Sequence, residues 1–148
     1  MAAGISREEF RAYAALIASS TLLQRAVERN LREQAELTQV QFEILMNLSN
    51  AGDSGIRMAQ LADALIVSRS GLSYQVAQLE SRGWITRERS ADDERGVVAR
   101  ITPEGERMRR RVYAGHIDIV RSAFLDAIEP AELATLTAAL QRVAERLR

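Results

Sequence analysis

A chain of 148 residues, 47% of them hydrophobic, is long enough to bury one proper core. Arginine and the acidic residues are equal in number at 20 each, so the formal net charge is zero; that argues against a protein that coats nucleic acid indiscriminately, yet fits one whose basic groups share a single surface. The absence of cysteine removes disulfides, thiolate redox sensing and cysteine-ligated metals.

In chain order, Ser6-Arg7-Glu8-Glu9 reads as a capping box that opens a long helix to about Glu36, with Phe10, Tyr13, Ile17, Leu23, Val27 and Leu31 marking a broad apolar face. Thr38-Gln39-Val40-Gln41 opens a second helix in the same way, carrying Phe42, Leu45, Met46 and Leu48. A loop follows from Ala51 to Gly55. Leu61, Ala62, Leu65 and Ile66 then recur at the spacing of one buried helical face, and Val67 ends that run. Ser68 suits an N-cap for a new helix, whose buried stripe is Leu72, Val76 and Leu79.

That second helix of the pair leaves Arg69, Ser70, Ser73, Tyr74, Gln75 and Gln78 in outward or flanking positions, and no acidic residue occurs from Ala64 to Leu79. Hydrogen-bonding side chains without a carboxylate are what a helix lying against phosphates requires. Gly71, in its first turn, costs about 1 kcal/mol relative to alanine, and close approach of the backbone to DNA is one reason to keep it. Ser70, Ser73 and Gln75 are placed to reach base edges; Arg69, Arg87 and Arg89 are placed for backbone phosphates.

Gly83 fits the position just past the helix end, after which Trp84 to Arg89 and Val97 to Thr102 alternate as two short strands. The tip between them, Ser90 to Gly96, is polar. Arg95 is the residue to enter a minor groove, where negative potential is concentrated, with Asp93 two residues earlier to hold it. Arg95→Ala is therefore expected to weaken binding at A/T-rich flanks by about 1–3 kcal/mol with the fold intact, measured by titration of labelled DNA alongside circular dichroism. Helix, tight turn, helix and charged hairpin is the order of parts in a winged helix-turn-helix.

After the hairpin, Thr102-Pro103 supplies a cap and an N1 proline for a long helix to about Phe124, and Pro130 starts a last helix that runs nearly to Arg148. The fold class is therefore mainly α with a small β-hairpin wing: a winged helix-turn-helix over 37–102 and a helical dimerisation region from 1–36 and 103–148. Leu133, Leu136, Leu140, Val143 and Leu147 stripe the last helix, and Ile17, Leu22 and Leu23 are available on the first, which is more apolar surface than one small module covers. A two-fold interface suits this, because a helix-turn-helix dimer spans two half-sites of a pseudo-palindromic operator.

Enzymatic chemistry finds little to work with. His116 is the single histidine, no serine lies in a nucleophile elbow, and no phosphate-binding glycine motif or metal-ligand cluster is present, so neither a cofactor nor a metal is expected. No apolar run approaches the roughly 20 residues that cross a bilayer, and the N-terminus lacks a signal-peptide pattern, which points to a cytoplasmic protein.

The segment resembles the multiple antibiotic resistance regulator (MarR) family through Arg57-Met58-Ala59-Gln60-Leu61-Ala62 before the turn, Ser68-Arg69-Ser70-Gly71-Leu72-Ser73 at the recognition helix, Leu79-Glu80-Ser81-Arg82-Gly83-Trp84-Ile85 into the hairpin, the Asp93-Glu94-Arg95 tip and Ile101-Thr102-Pro103-Glu104-Gly105 after it. Two departures are that Trp84 stands where a smaller aliphatic is more usual, and that the chain has no lysine. The resemblance implies a homodimeric, double-stranded-DNA-binding transcription regulator, often a repressor, that leaves its operator when a small molecule binds. It also implies an effector pocket where the first, second and post-wing helices meet the DNA-binding module. Candidate lining residues are Phe10, Tyr13, Ile17, Phe42, Met46, Met108 and Tyr113, with Arg11 or His116 as polar anchors for an aromatic acid or phenol. A winged-helix module that binds a protein partner with little DNA specificity is the alternative.

Overall fold

The computed structural model describes residues 4–92 and 96–148, so the expectations for Asp93 and Arg95 lie outside the described residues. Its order of elements is α1 (Arg7–Ala35), α2 (Gln39–Ala51), a 3₁₀ turn (Gly52–Ser54), β1 (Ile56–Arg57), α3 (Met58–Leu65), α4 (Arg69–Ser81), β2 (Ile85–Arg89), β3 (Val97–Ile101), α5 (Pro103–Ala123), a second 3₁₀ turn (Leu125–Ala127) and α6 (Pro130–Leu147). Among the described residues no helix is long and apolar enough to cross a membrane.

Local chemistry starts and stops these elements where the residue pattern places them. Ser6 and Glu9 close a reciprocal cap on α1, Ser6 N–H donating to Glu9 Oε2 at 2.7 Å and Glu9 N–H to Ser6 Oγ at 3.2 Å. Thr38 and Gln41 do the same for α2, both bonds at 3.1 Å. At the end of α4, Trp84 N–H donates to Leu79 O at 3.1 Å and Gly83 N–H to Glu80 O at 2.9 Å. That paired reversal needs a left-handed residue, and Gly83 supplies it with φ 74°.

The hairpin is part of a three-stranded antiparallel sheet in the order β1-β3-β2, with Ile56 opposite Ala99 and Ile85 opposite Ile101. The sequence reading contains two of these strands. β1 has only two residues and no room to show alternation, and its partner lies over 40 residues along the chain.

By packing, the chain divides into two units, Met1–Ala26 with Ile117–Arg148, and Val27–His116. The division falls inside α1 and α5 rather than at the helix ends. The reason is that Val27 and Leu31 near the end of α1, and Gly105 and Val112 early in α5, are buried with the second unit.

This second unit holds the core. Leu31, Leu45, Leu48, Leu61, Val76 and Leu79 are all fully buried, each such side chain stabilising by about 1.5–3 kcal/mol relative to exposure. Leu72 and Ile85 join them, so the stripe read on α4 faces inward as expected. The apolar run before the turn needs correction. Leu61 and Ala62 are buried, but Leu65 is half-buried and Ile66 is 73% exposed. Ile66 ends α3 in the left-handed region with φ 55°, which swings it off the helical face and makes the tight turn into Ser68. A β-branched residue is strained there, so Ile66→Gly should raise unfolding free energy by about 1 kcal/mol in urea titrations, relief of the left-handed penalty exceeding the entropy cost of glycine.

The first unit is built differently. All its described residues are exposed or half-buried, and none is buried. Along α1, Ala12, Leu16, Ser19 and Leu23 line a groove of about 760 Å³ with Phe124, Ile128, Leu136 and Leu140 of the same unit. Phe10, Ala14, Ile17 and Thr21 repeat the same spacing two residues out of phase, hence on the opposite side of the helix, and line a second open apolar surface. A helix apolar on both sides is one designed to be enclosed.

Candidate nucleic-acid interface

The turn that presents α4 is organised by Ser68. Its Oγ accepts from Gly71 N–H at 3.0 Å and sits 3.4 Å from Ser70 Oγ. A Cβ on Gly71 would come within 2.9 Å of that same oxygen, so glycine is explained by the cap itself, without appeal to a close DNA backbone. From this start α4 displays Arg69, Ser70, Gly71, Ser73, Tyr74 and Gln78 on its exposed side, with Tyr74 64% exposed. The chain from Ala64 through Leu79 contributes no carboxylate to this face.

Gln75 departs from its expected place. It is half-buried rather than outward, and its Oε1 is shielded from solvent without a hydrogen-bond partner. The helical position between Leu72 and Val76 turns it partly inward. Polarity alone cannot reveal such a rotation.

Beside α4 a recess of about 370 Å³ is lined by Arg57, Met58, Ala59, Arg69, Leu72, Ser73, Arg87, Gly96 and Val97. Three arginines therefore line it from three elements: the end of β1, the first turn of α4 and the middle of β2. Met58 and Ala59 are the opening residues of α3, so the positive end of that helix borders the recess. Such a combination of amides and arginines suits a phosphate diester. In the sequence Arg57 opens a segment that resembles the family but nothing assigns it to the DNA-facing side; the pairing of β1 with β3 brings it beside the wing.

Arg87 lines this recess as expected, but it is also paired. Its Nε and Nη2 donate to Glu80 Oε2 at 3.0 and 2.6 Å, linking the last turn of α4 to the wing. Arg89 is exposed on a second recess with Arg57, Gln60, Asp92 and Arg100 among its lining. Arg100 is committed to structure, donating from Nε to Asp53 O at 2.8 Å and from Nη1 to Glu88 Oε2 at 3.0 Å.

The expected effector residues fall in both units. Phe10, Tyr13 and Ile17 are 56%, 59% and 48% exposed in the first unit, and Arg11 is exposed there too. In the second unit Phe42 is a core residue at 2% exposure, with the His116 ring 4.7 Å away by centroids. Met46 and Met108 are half-buried and Tyr113 is 40% exposed. Burial pushes His116 below the usual imidazole value, against the pull of Glu43, and its Nδ1 is shielded without a partner. Met46 Sδ instead receives Arg109 Nη1 at 3.5 Å.

Of the expected interface residues, Ile17, Leu22, Leu133, Leu140, Val143 and Leu147 are exposed, while Leu23 and Leu136 are half-buried along the first unit's groove.

Known proteins are similar to this chain in both fold and sequence. Residues 37–97 match the model of the MarR family. The HTH-type transcriptional regulator PecS of Dickeya dadantii (strain 3937) is 30% identical over 129 residues, which cover 86% of this chain and 76% of PecS. Among solved structures, Sco3205 of Streptomyces coelicolor, a MarR family transcriptional regulator crystallised in complex with DNA, superposes with a TM-score of 0.96 at 34% identity, covering 100% of this chain and 92% of that one. AbsC, a MarR family transcriptional regulator from the same organism, gives 0.93 at 34% identity, with 99% and 98% covered. A winged helix-turn-helix with a carboxylate-free recognition face, together with these relatives, places the chain in the MarR family of DNA-binding transcription regulators, proteins that are not enzymes.

Proposed function

We propose that this regulator works as a homodimeric repressor on a pseudo-palindromic operator and is released by a small, mostly apolar ligand. The observation that carries the assembly is the first unit, which has two opposed apolar faces on α1 and no buried residue of its own among those described. A second copy supplies the missing cover and sets two recognition helices to face half-sites about 10 base pairs apart. On the DNA side, Ser70, Ser73, Tyr74 and Gln78 are the residues assigned to base edges, and Arg57, Arg69 and Arg87 to phosphate. Arg95 extends the contact into the flanking minor groove. For the ligand, the shielded Nδ1 of His116 beside Phe42 is a buried polar group without a partner, suited to a phenol or a protonated acid.

Selection of bound fragments from genomic DNA, followed by footprinting and sedimentation of the complex, tests this reading. Two protected half-sites per dimer, lost on adding members of a panel of aromatic acids, are expected. A protein that retains no fragment over bulk DNA and captures a protein through the same face would replace it with the interaction-module alternative. Arg69→Ala should lower affinity for every sequence alike and reduce the slope of log K against log salt by about one, as for one phosphate contact. A change confined to one base position would instead make Arg69 a reader.

A further inference from the structure

We infer that Arg82 and Trp84 form a latch that fixes the recognition helix against the end of α1, making Arg82 a positioning residue for operator binding although it touches no DNA-facing recess. Arg82 ends α4 at φ −85°, ψ −2°, and its guanidinium reaches back to the end of α1. Nη2 donates to Ala35 O at 2.8 Å and Nη1 to Glu36 O at 3.3 Å. These are carbonyls at the end of α1, where a helix has acceptors without partners and a partial negative charge that a cation offsets. The chain turns there, Glu36 lying in the left-handed region with φ 53°.

The same guanidinium lies 3.8 Å over the Trp84 ring, which is 9% exposed and is the one tryptophan of the chain. Trp84 is bolted in turn. Its N–H donates to Leu79 O of α4 and its carbonyl accepts Thr102 N–H at 3.0 Å at the root of α5. Any side chain on Gly105 would collide with that carbonyl. One planar cation thus joins the ends of α1 and α4 above a ring tied to the start of α5. A smaller aliphatic at position 84 would offer no face to stack on.

The latch rests on the regulator reading only for its effect on DNA, so the test has arms with and without operator. Arg82→Gln, which keeps hydrogen bonding but removes the cation and the fork, should shift Trp84 emission in the free protein. It should also lower operator affinity about tenfold, the scale of a residue that acts through another, with the salt slope unchanged because no phosphate contact is lost. Arg82→Lys keeps a charge above the ring but serves one carbonyl at a time, and should recover part of both. If Arg82→Gln does not fold, Arg82→Lys decides by the same two readouts. Wild-type emission and affinity in a folded variant would overturn the proposal, as would a slope lowered by about one, which would make Arg82 a phosphate ligand. In the unmodified protein, Trp84 should resist acrylamide quenching equally with and without operator, since a fixed latch is closed in both. Exposure of Trp84 on DNA binding would overturn it as well. Failure of the unmodified protein to bind any operator would count against the regulator reading, while the emission of Arg82→Gln still judges the latch.

Discussion

Replacing Leu136 and Leu140 together by arginine should convert a dimer stable at low micromolar concentration into a monomer and lower operator affinity by about 100-fold or more. Both leucines line the groove of the first unit with Leu16, Leu23 and Phe124. Two guanidinium groups there would lie among apolar walls that offer no acceptor once a second copy covers the groove, so the charge is costly in the dimer while a monomer leaves it in water. The second unit has its own closed core from Val27 to Val112, so the helix-turn-helix should stay folded. What is lost is the tether: a monomer binds one half-site without the high effective concentration of a second, which is worth about 10²–10⁴ in affinity. Sedimentation velocity with gel-shift titration checks both halves of this expectation. A double variant that stays dimeric, or an unmodified monomer that protects a single half-site, would show that the apolar faces serve another purpose.

Glu106→Gln should destabilise the protein by about 3 kcal/mol at neutral pH without touching the DNA-facing surface. Glu106 accepts from Arg109 Nη2 at 2.7 Å and Nε at 3.0 Å and from Arg110 Nε at 2.8 Å, with Ser49 adding a further bond. The side chains of Arg109 and Glu106 are only 16% and 23% exposed. The bond to Arg109 is the largest influence on the carboxyl, and with those from Ser49 and Arg110 it outweighs burial to pull the pKa from 4.5 to about 2. That difference corresponds to about 3 kcal/mol. A depressed carboxylate contributes fully above pH 4.5 and loses its contribution as pH falls through about 2. The unmodified protein should therefore lose stability more steeply than the glutamine variant across that window, and the two unfolding curves should converge at its acid end. At neutral pH the melting temperature of Glu106→Gln should lie about 6–12 °C lower. Parallel pH profiles for the two proteins would remove Glu106 from this role.

The parts of this molecule that are governed by neighbours a few residues away were legible before any coordinates. Ser6 with Glu9, Thr38 with Gln41 and Ser68 with Gly71 cap their helices as their spacing indicates, and Gly83 occupies the left-handed position that its residue type suits. The apolar stripe of α4 and the two alternating strands are equally local signals. What was not legible depends on partners distant in sequence. Arg57 joins the recess beside α4 because a two-residue strand pairs with β3, Arg82 reaches carbonyls 46 and 47 positions away, and Arg109 meets Met46 across 63. Gln75 and Ile66 show a subtler limit, since each sits on the expected element while a modest rotation of the backbone or helix changes which way it faces.

The sheet order leaves β2 with one side open, its backbone groups unpaired along the outer edge of the wing. An open strand edge invites a strand from another chain, and an exposed hairpin is where unwanted pairing between protein molecules begins. Four consecutive residues, Thr86, Arg87, Glu88 and Arg89, are exposed on that strand, and three of them are charged. An incoming strand would have to strip water from alternating positive and negative groups before gaining its first hydrogen bond. The arginines proposed to meet DNA thereby also guard the open edge of the wing against pairing with another chain.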